Sequence, residues 1–348
     1  MKASNVTRFL KDDVWPYFTR TNKKPLLVQL REAYALYREY RYLPYHYFKS
    51  YLCARSIPEN ADLLSFVPPM IIQESLASLN ATDQREHQAR IADKAQFQKL
   101  MEANQIDCVG TIATVDACGG ILDNSGNKID LPTLEAAALR FGPQVFVKPK
   151  DAAGGKGAAL IEVGSDAFAT IQTLKSFIVQ PVIRQHTDLS RLFPKSINTL
   201  RIDTFFEDGR YTHNAAVVRI GTGDLFVDNW DQGAVAVGVD LDTGRLMRTG
   251  WRKNKFADQD GFDVHPDTGI RFDGYQLPFW SESKDLVCRA AETLQPLRSL
   301  GWDVAITDTG PILIEVNDVW GINLMQTACG GMRDTPIGQY ALRHRGLI

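Results

Sequence analysis

The chain has 348 residues, 44% hydrophobic and 23% charged, with a formal net charge of −2. That is enough apolar sequence for one large or two ordinary domains, and the near-balanced charge gives no reason to expect a nucleic-acid or anionic-membrane partner. Five scattered cysteines without a CxxC pair argue against a disulfide framework or a zinc site and suit a reducing compartment.

The start, MKASNVTRFLKDD, has no apolar run of the kind a secretory signal needs. Leu26, Leu27, Leu30, Ala33, Tyr34 and Tyr37 then recur at helical spacing over 26–42, and their apolar and aromatic side chains are expected to pack a helical subdomain onto the rest. Pro44 interrupts this helix, and a shorter aromatic one is expected over 45–53. The longest apolar stretch, 63–72, falls far short of the roughly 20 residues that span a bilayer. No membrane span is therefore expected, and the chain reads as soluble and cytoplasmic. A polar helix follows over about 83–103.

After Ile106 the texture changes. QVFVKP, AALIEV, FIVQPVI, TLRIDTFF, YTHNAAVVRI, AVAVGVDL, DVAIT and PILIEVN read as strands, and the turns EDGR, DTGR and TDTGP join pairs of them into antiparallel hairpins. One later segment, about 282–300, is strongly helical. The class is α+β with antiparallel sheets, not a doubly wound parallel sheet.

Asp303 to Asn317 is the most informative segment. With Asp308, Thr309 and Gly310 as the loop, Asp303 lies opposite Glu315. Alternation puts Val304, Ile306, Ile312, Ile314 and Val316 on a core face, and Asp303, Ala305, Thr307, Leu313, Glu315 and Asn317 on the other. Opposed carboxylates destabilise a bare strand pair, and a hard divalent cation held by Asp303, Glu315 and Asn317 would remove the penalty. Upstream, VFVKPKDAAGGKGAALIEV reads as strand, glycine loop, strand. Lys148 closes the first strand, Gly154, Gly155 and Gly157 permit close backbone approach to phosphate, and Lys156 adds a charge. GxxxxGK[ST], strand–GxGxxG–helix and HExxH are all absent.

Over roughly residues 90–330 these segments resemble the ATP-grasp superfamily. The resemblance implies nucleotide contacts from Lys94 in ADKAQFQKLM, from Lys148, from the glycine loop with Gly154, Gly155 and Lys156, and from the hinge strand through Gln180, Pro181 and Ile183. Gln180 stands where the family usually carries Glu. The family's acid, acid, Asn metal set falls on Asp303, Glu315 and Asn317, so ATP and Mg²⁺ are the implied cofactors. The Tyr-rich front, PKSINTLRID, AVVRIGTGDLFVDNWDQGAVAVGVDLDTG and WDVAITDTGPILIEVN resemble the sugar-transfer-associated ATP-grasp proteins in particular. The middle stretch is also similar to ligases that extend a chain with glutamate, whose matching arginines hold the transferred phosphate; here these are Arg201 and Arg219. The usual Rossmann-like domain ahead of the grasp is replaced by helices. The implied organisation is a helical subdomain over 1–90, a small lobe over 91–179 and a large lobe over 180–348 with the metal site.

A three-residue Glu207–Asp208–Gly209 loop with a bulge puts Arg201 and Arg219 on one face; a two-residue turn separates them. Asn198, Asn229 and Gly233 read equally well as turn formers. The expected activity is a Mg·ATP-dependent carboxylate–amine ligase working through an acyl phosphate, with Arg201, Arg219 and Lys156 as catalytic groups. Its partners would be a small-molecule or saccharide-linked carboxylate and an amine. The alternatives are a kinase on a hydroxyl, or a non-catalytic nucleotide-binding protein of a polysaccharide assembly. Nothing in the sequence sets an oligomeric state.

Overall fold

The computed structural model describes residues 17–18, 22–54, 57, 62–81, 91–150, 157–253, 256 and 261–348. The helices that matter here are α1 (Leu26–Tyr40), α2 (Pro69–Ala81), α3 (Lys94–Ala103), α4 (Leu131–Leu139), α5 (Trp280–Glu292), α6 (Ile322–Cys329) and α7 (Pro336–His344). A small sheet is built from β1 (Ala113–Val115), β2 (Ile121–Asp123), β3 (Lys128–Ile129), β4 (Gln144–Pro149), β5 (Ala159–Glu162) and β6 (Phe177–Pro181), in the order β3-β2-β1-β6-β4-β5. A large sheet holds β7 (Leu200–Glu207), β8 (Arg210–Thr212), β9 (Ala216–Ile220), β10 (Val235–Val239), β11 (Leu246–Trp251), β12 (Ser299–Thr307) and β13 (Gly310–Asn317). Its order is β11-β10-β9-β7-β12-β13, with β8 beside β7. Every strand pair in both sheets is antiparallel.

Strand alternation sorts the large sheet's side chains into two layers. Leu200, Ile202, Val218, Val235, Val237, Trp302 and Val304 form one core with Leu286, Val287 and Ala290 of α5 and Phe97 of α3. On the opposite face, Phe205, Val217 and Ala236 pack under Trp320, α6 and α7, and under Leu36, Tyr40, Ile71 and Ile72 of the N-terminal helices. That covering layer stops short of one end of the sheet, where the same alternation places Arg201, Arg219, Asp303 and Glu315. The small sheet has its own core, in which Val115, Val145, Val147 and Val179 meet Leu134 and Ala138 of α4.

Several elements depart from the sequence expectation. The helix expected over 282–300 is α5, which ends at Glu292, and Ser299 and Leu300 already belong to β12. The short strands β1–β3, the strand β11 and the helices α2, α4, α6 and α7 have no counterpart in the periodicity reading. α1 turns the other way round. Its buried residues are Gln29, Glu32, Leu36 and Tyr40, whereas Leu26, Leu27, Leu30, Tyr34 and Tyr37, expected to pack inward, are exposed. The inward polar groups are satisfied locally: Lys24 Nζ lies 3.0 Å from Glu32 Oε1, Tyr47 donates to Glu32 Oε2 at 2.5 Å, and Tyr17 donates to Gln29 Oε1 at 2.8 Å.

The β12–β13 hairpin places Asp303 opposite Glu315 by an unexpected route. Thr307 pairs with Gly310, so the turn is two residues, Asp308 and Thr309, and not three. A bulge at Ile314 then restores the register, since Val304 pairs with Leu313 while Asp303 pairs with Glu315. In consequence Leu313 joins the core, and Ile312 and Ile314, expected there, are only half-buried.

Candidate functional site

A cleft of about 660 Å³ opens between the two sheets, within the usual range for small-molecule sites. Lys148, Gln180, Pro181 and Ile183 line it from the small-sheet side, Arg201, Arg219, Asp303, Glu315 and Asn317 from the large sheet, and Lys94 from the start of α3. Gly154, Gly155 and Lys156 lie outside the described residues, so the expected phosphate loop is not placed.

Lys94 opens α3 because Asp93 caps that helix, its Oδ1 accepting from Ala95 N at 2.9 Å and Gln96 N at 3.1 Å. The Lys94 ammonium reaches the carbonyl of Lys150 at 2.9 Å, next to the end of β4. Lys148 sits on that strand, with Nζ 5.9 Å from the centre of the Phe146 ring. The cleft walls strip water from its ammonium and bring it down to about 8, against the pull of Glu315 and Asp303 and with the push of Lys94. Gln180 on β6 is buried and donates its amide to Gly110 O at 2.9 Å.

The large sheet supplies a charge cluster by register alone. Glu315, Asp303 and Arg201 are direct neighbours across three strands. Arg219 lies on the next strand, and its backbone N–H donates to Thr199 O at 2.9 Å, two residues from Arg201. The two arginines therefore share a face, although the β7–β8 turn is the two-residue Asp208–Gly209 form, both with positive φ. The expected three-residue loop is absent. A one-residue slip between β8 and β9 does its work: Glu207 pairs with Arg210, but Ile202 pairs with Ala216.

Asp303 is gripped on both oxygens. Arg201 Nε donates to Oδ1, and Arg219 Nη2 donates to Oδ2 at 3.0 Å. Burial alone would raise the Asp303 carboxyl, but the two guanidinium charges hold it well below the usual carboxylate range. Glu315 goes the other way, pushed up by burial and by the charge of Asp303. Burial works against the charge on Arg219, yet Asp303, Asp228 and Glu315 outweigh it and raise its pKa.

Asp228 was not singled out by sequence reasoning. It lines the cleft, accepts from Thr199 N at 2.9 Å and from the Thr199 hydroxyl, and its Oδ2 lies 3.5 Å from Arg219 Nε. Thr199 Oγ1 in turn accepts from Arg219 Nε at 3.0 Å. The available signal was electrostatic: two arginines sent into one cleft need more than one acid. Asn198 is a buried structural knot, its Nδ2 donating to Leu189 O at 2.7 Å and Phe193 O at 2.8 Å. Asn229 lines the cleft and also caps a short 3-10 turn through Asp231 N.

As a magnesium site the donor set is chemically apt, though not for the reason the sequence suggested. Arg201 and Arg219 already offset the repulsion between the two carboxylates, so no divalent cation is required for that. Glu315 and Asn317, two residues apart on one strand, offer hard oxygens, and each Asp303 oxygen retains a second lone pair. Asn317 Nδ2 is buried with no hydrogen-bond partner among the described residues, which marks this amide as an unsatisfied polar group at the cleft wall. Among the described residues no three His, Cys, Asp or Glu side chains gather around one point; the third donor here is an amide.

No curated protein matches the chain in sequence. Among solved structures, D-alanyl-alanine synthetase A from Vibrio cholerae aligns with a TM-score of 0.42 at 13% identity, over 75% of this chain and 62% of that one. L-amino acid ligase from Bacillus licheniformis aligns with a TM-score of 0.39 at 11% identity, over 68% of this chain and 42% of that one. The ATP-grasp ligase PsnB, complexed with a minimal precursor, aligns with a TM-score of 0.42 at 12% identity, over 76% and 62%. Likeness at this level carries nothing about what this chain makes, and the chain spans less than two thirds of each of these three proteins. The family model for sugar-transfer-associated ATP-grasp proteins matches residues 159–333, which hold the hinge strand, both arginines and the carboxylate hairpin, and the chain belongs to that family.

Proposed function

We propose that the cleft binds Mg·ATP and that the protein is a carboxylate–amine ligase. The observation that carries this reading is the convergence of Lys148 from one sheet with Arg201 and Arg219 from the other on the Asp303–Glu315 pair. Lys94 and Lys148 would hold the nucleotide phosphates, and Arg201 and Arg219 would face the phosphate being transferred. The hinge after β6 would take the adenine, with the Pro181 carbonyl and Ile183 N–H at the base edge and the Gln180 amide oxygen as an acceptor for its amine. The helical front (1–90), whose described helices pack on the large sheet, would brace the large lobe (180–348), which would clamp the nucleotide against a small lobe (91–179).

A substrate carboxylate oxygen attacks the γ-phosphorus, the bond to the β-phosphate oxygen breaks, and ADP leaves. An amine then attacks the acyl carbon, phosphate departs with the C–O bonding pair, and the amine's proton passes to that phosphate or to solvent. Neither step needs a protein base. What the chain supplies is fixed positive charge for the developing phosphate oxygens, from Arg201 and Arg219, and exclusion of water. Mg²⁺, held by Glu315, Asn317 and Asp303, would neutralise phosphate charge.

A kinase reading needs a base for a hydroxyl acceptor. Asp228 is the further acid in the described cleft lining, but it is committed to Thr199 and Arg219, which favours an orienting role. The test is ADP release across candidate acid and amine pairs, with hydroxylamine added to intercept the activated carboxylate. ADP, free phosphate and a hydroxamate are expected, and Arg219→Ala abolishes trapping while ATP still binds. A product carrying the γ-phosphate, with no phosphate released, would hand the reaction to the kinase.

A further inference from the structure

α1 presents an apolar stripe outward. Leu26 is 65% exposed, Leu27 81%, Leu30 58%, Tyr34 65% and Tyr37 47%. At 3.6 residues per turn these five side chains fall within an arc of about 100°. The arc is not the loose side of a poorly seated helix. The buried Lys24–Glu32 ion pair and the Tyr47 hydroxyl on Glu32 fix the inward face, so the stripe is held outward by the protein's own hydrogen bonds.

Charge on this helix is distributed unevenly. Arg31 and Arg38 flank the stripe on one side, and Arg41 follows at the helix C-terminus; all three are exposed. Of the two acids on α1, Glu32 is buried and Glu39 is tied to Arg333 at 2.7 Å. The outward stripe of α1 therefore combines leucine and tyrosine with flanking arginine, and its one partly accessible acid, Glu39, lies on the far side of the helix and is paired with Arg333. That is the composition of a helix lying in a lipid headgroup layer, with leucines entering the acyl boundary, tyrosines at headgroup level and arginines on lipid phosphates. The overall charge of −2 does not oppose this, because what matters is the local face.

We propose that α1 docks the protein peripherally on an anionic membrane surface. A second copy of the chain fits less well. In an antiparallel two-fold pairing each flank of the helix meets its own copy, which sets Arg31 and Arg38 against the same residues of the partner. Docking by α1 is independent of the nucleotide cleft, which lies beyond the other end of the same sheet face.

The test is co-sedimentation of the full-length protein with phosphatidylcholine vesicles, with and without phosphatidylglycerol. Recovery with the anionic vesicles is expected to be about tenfold higher and to fall with added salt. The Leu27→Glu/Leu30→Glu double variant should sediment no more than wild type does with neutral vesicles, while keeping the wild-type melting temperature and nucleotide binding. Equal recovery with both vesicle types, or none with either, overturns the proposal. So does a concentration-dependent dimer that the double variant breaks, which would assign the stripe to self-association. Capture of an acidic protein through the stripe, without vesicle binding, overturns it as well.

Discussion

Lys148→Met should make the protein more stable and less able to bind ATP. A lysine held near 8 in the fold but near 10.5 when unfolded costs the folded state about 3 kcal/mol at neutral pH, at about 1.4 kcal/mol per tenfold change in protonation. The side chain is still partly wetted by the cleft, so this is the upper end. The sign follows from the lowered value: the cost is fully present below pH 8 and disappears as pH rises toward the unfolded value. Methionine fills a similar volume without the charge. Urea unfolding at pH 7 should therefore show the variant more stable by up to about 3 kcal/mol, with the gap narrowing by about 1 kcal/mol at pH 9. Calorimetry on the same variant should show ATP affinity lost. A variant less stable than wild type by the same margin at both pH values would mean that Lys148 is a satisfied structural lysine, and the reasoning would fail.

Glu315→Gln should leave stability at pH 7 unchanged or raised, because burial and Asp303 already disfavour its charge, and should abolish Mg-dependent ATP turnover; an unfolded variant would make the hairpin structural. Asp303→Ala is the opposite case: it strands two buried guanidinium groups and should cost about 3–5 kcal/mol in chemical denaturation. Because the Asp303 carboxyl is held below its ordinary range, its contribution is present above about pH 4 and is lost only as pH falls through the depressed value. Asp228→Asn should lower turnover while sparing ATP affinity, since it loosens Arg219 and touches no expected nucleotide contact; a matching loss of affinity would place Asp228 in the nucleotide site itself. ATP binding should also take up protons, about half a proton near pH 8 and about a tenth near pH 7, as phosphate returns Lys148 to full charge. Calorimetry in buffers of different ionisation enthalpy reads this, and Lys148→Arg should eliminate it.

The central strands of the large sheet and the charged groups of the cleft were legible because they depend on short-range rules. Parity along a strand and Gly-containing turns placed β7, β9, β12 and β13, and the family resemblance named the residues that the cleft gathers. Register was less legible. Asp303 meets Glu315 through a tighter turn and a compensating bulge at Ile314, and Arg201 shares a face with Arg219 through a slip between β8 and β9. In both cases two departures of one residue cancel, which leaves the pairing intact but moves Leu313 inward and Ile314 outward. α1 failed for a different reason. Periodicity locates an apolar arc, but only long-range partners decide whether it faces in, and Glu32 outcompetes five apolar residues because Lys24 and Tyr47 wait for it. The helices α6 and α7 are only eight and nine residues long, too short to announce themselves before the sheet gives them a surface.

The charges in the cleft divide into a hard centre and a soft edge. Asp303 and Arg219 have each been driven further into their ionised forms, so that pair stays charged across any physiological pH. Lys148 and Glu315 have each been driven toward neutrality by the loss of water. The centre is set by register on three adjacent strands and needs no ligand to persist. The edge has the opposite property, because a polyanion favours the charged lysine and a cation favours the charged glutamate. A purely structural network would gain nothing from holding both groups away from their ionised forms. A site that receives a nucleotide and its metal gains a direct coupling between ligand charge and protein charge. The opposed carboxylates persist in the fold because Arg201 and Arg219 both pair with Asp303.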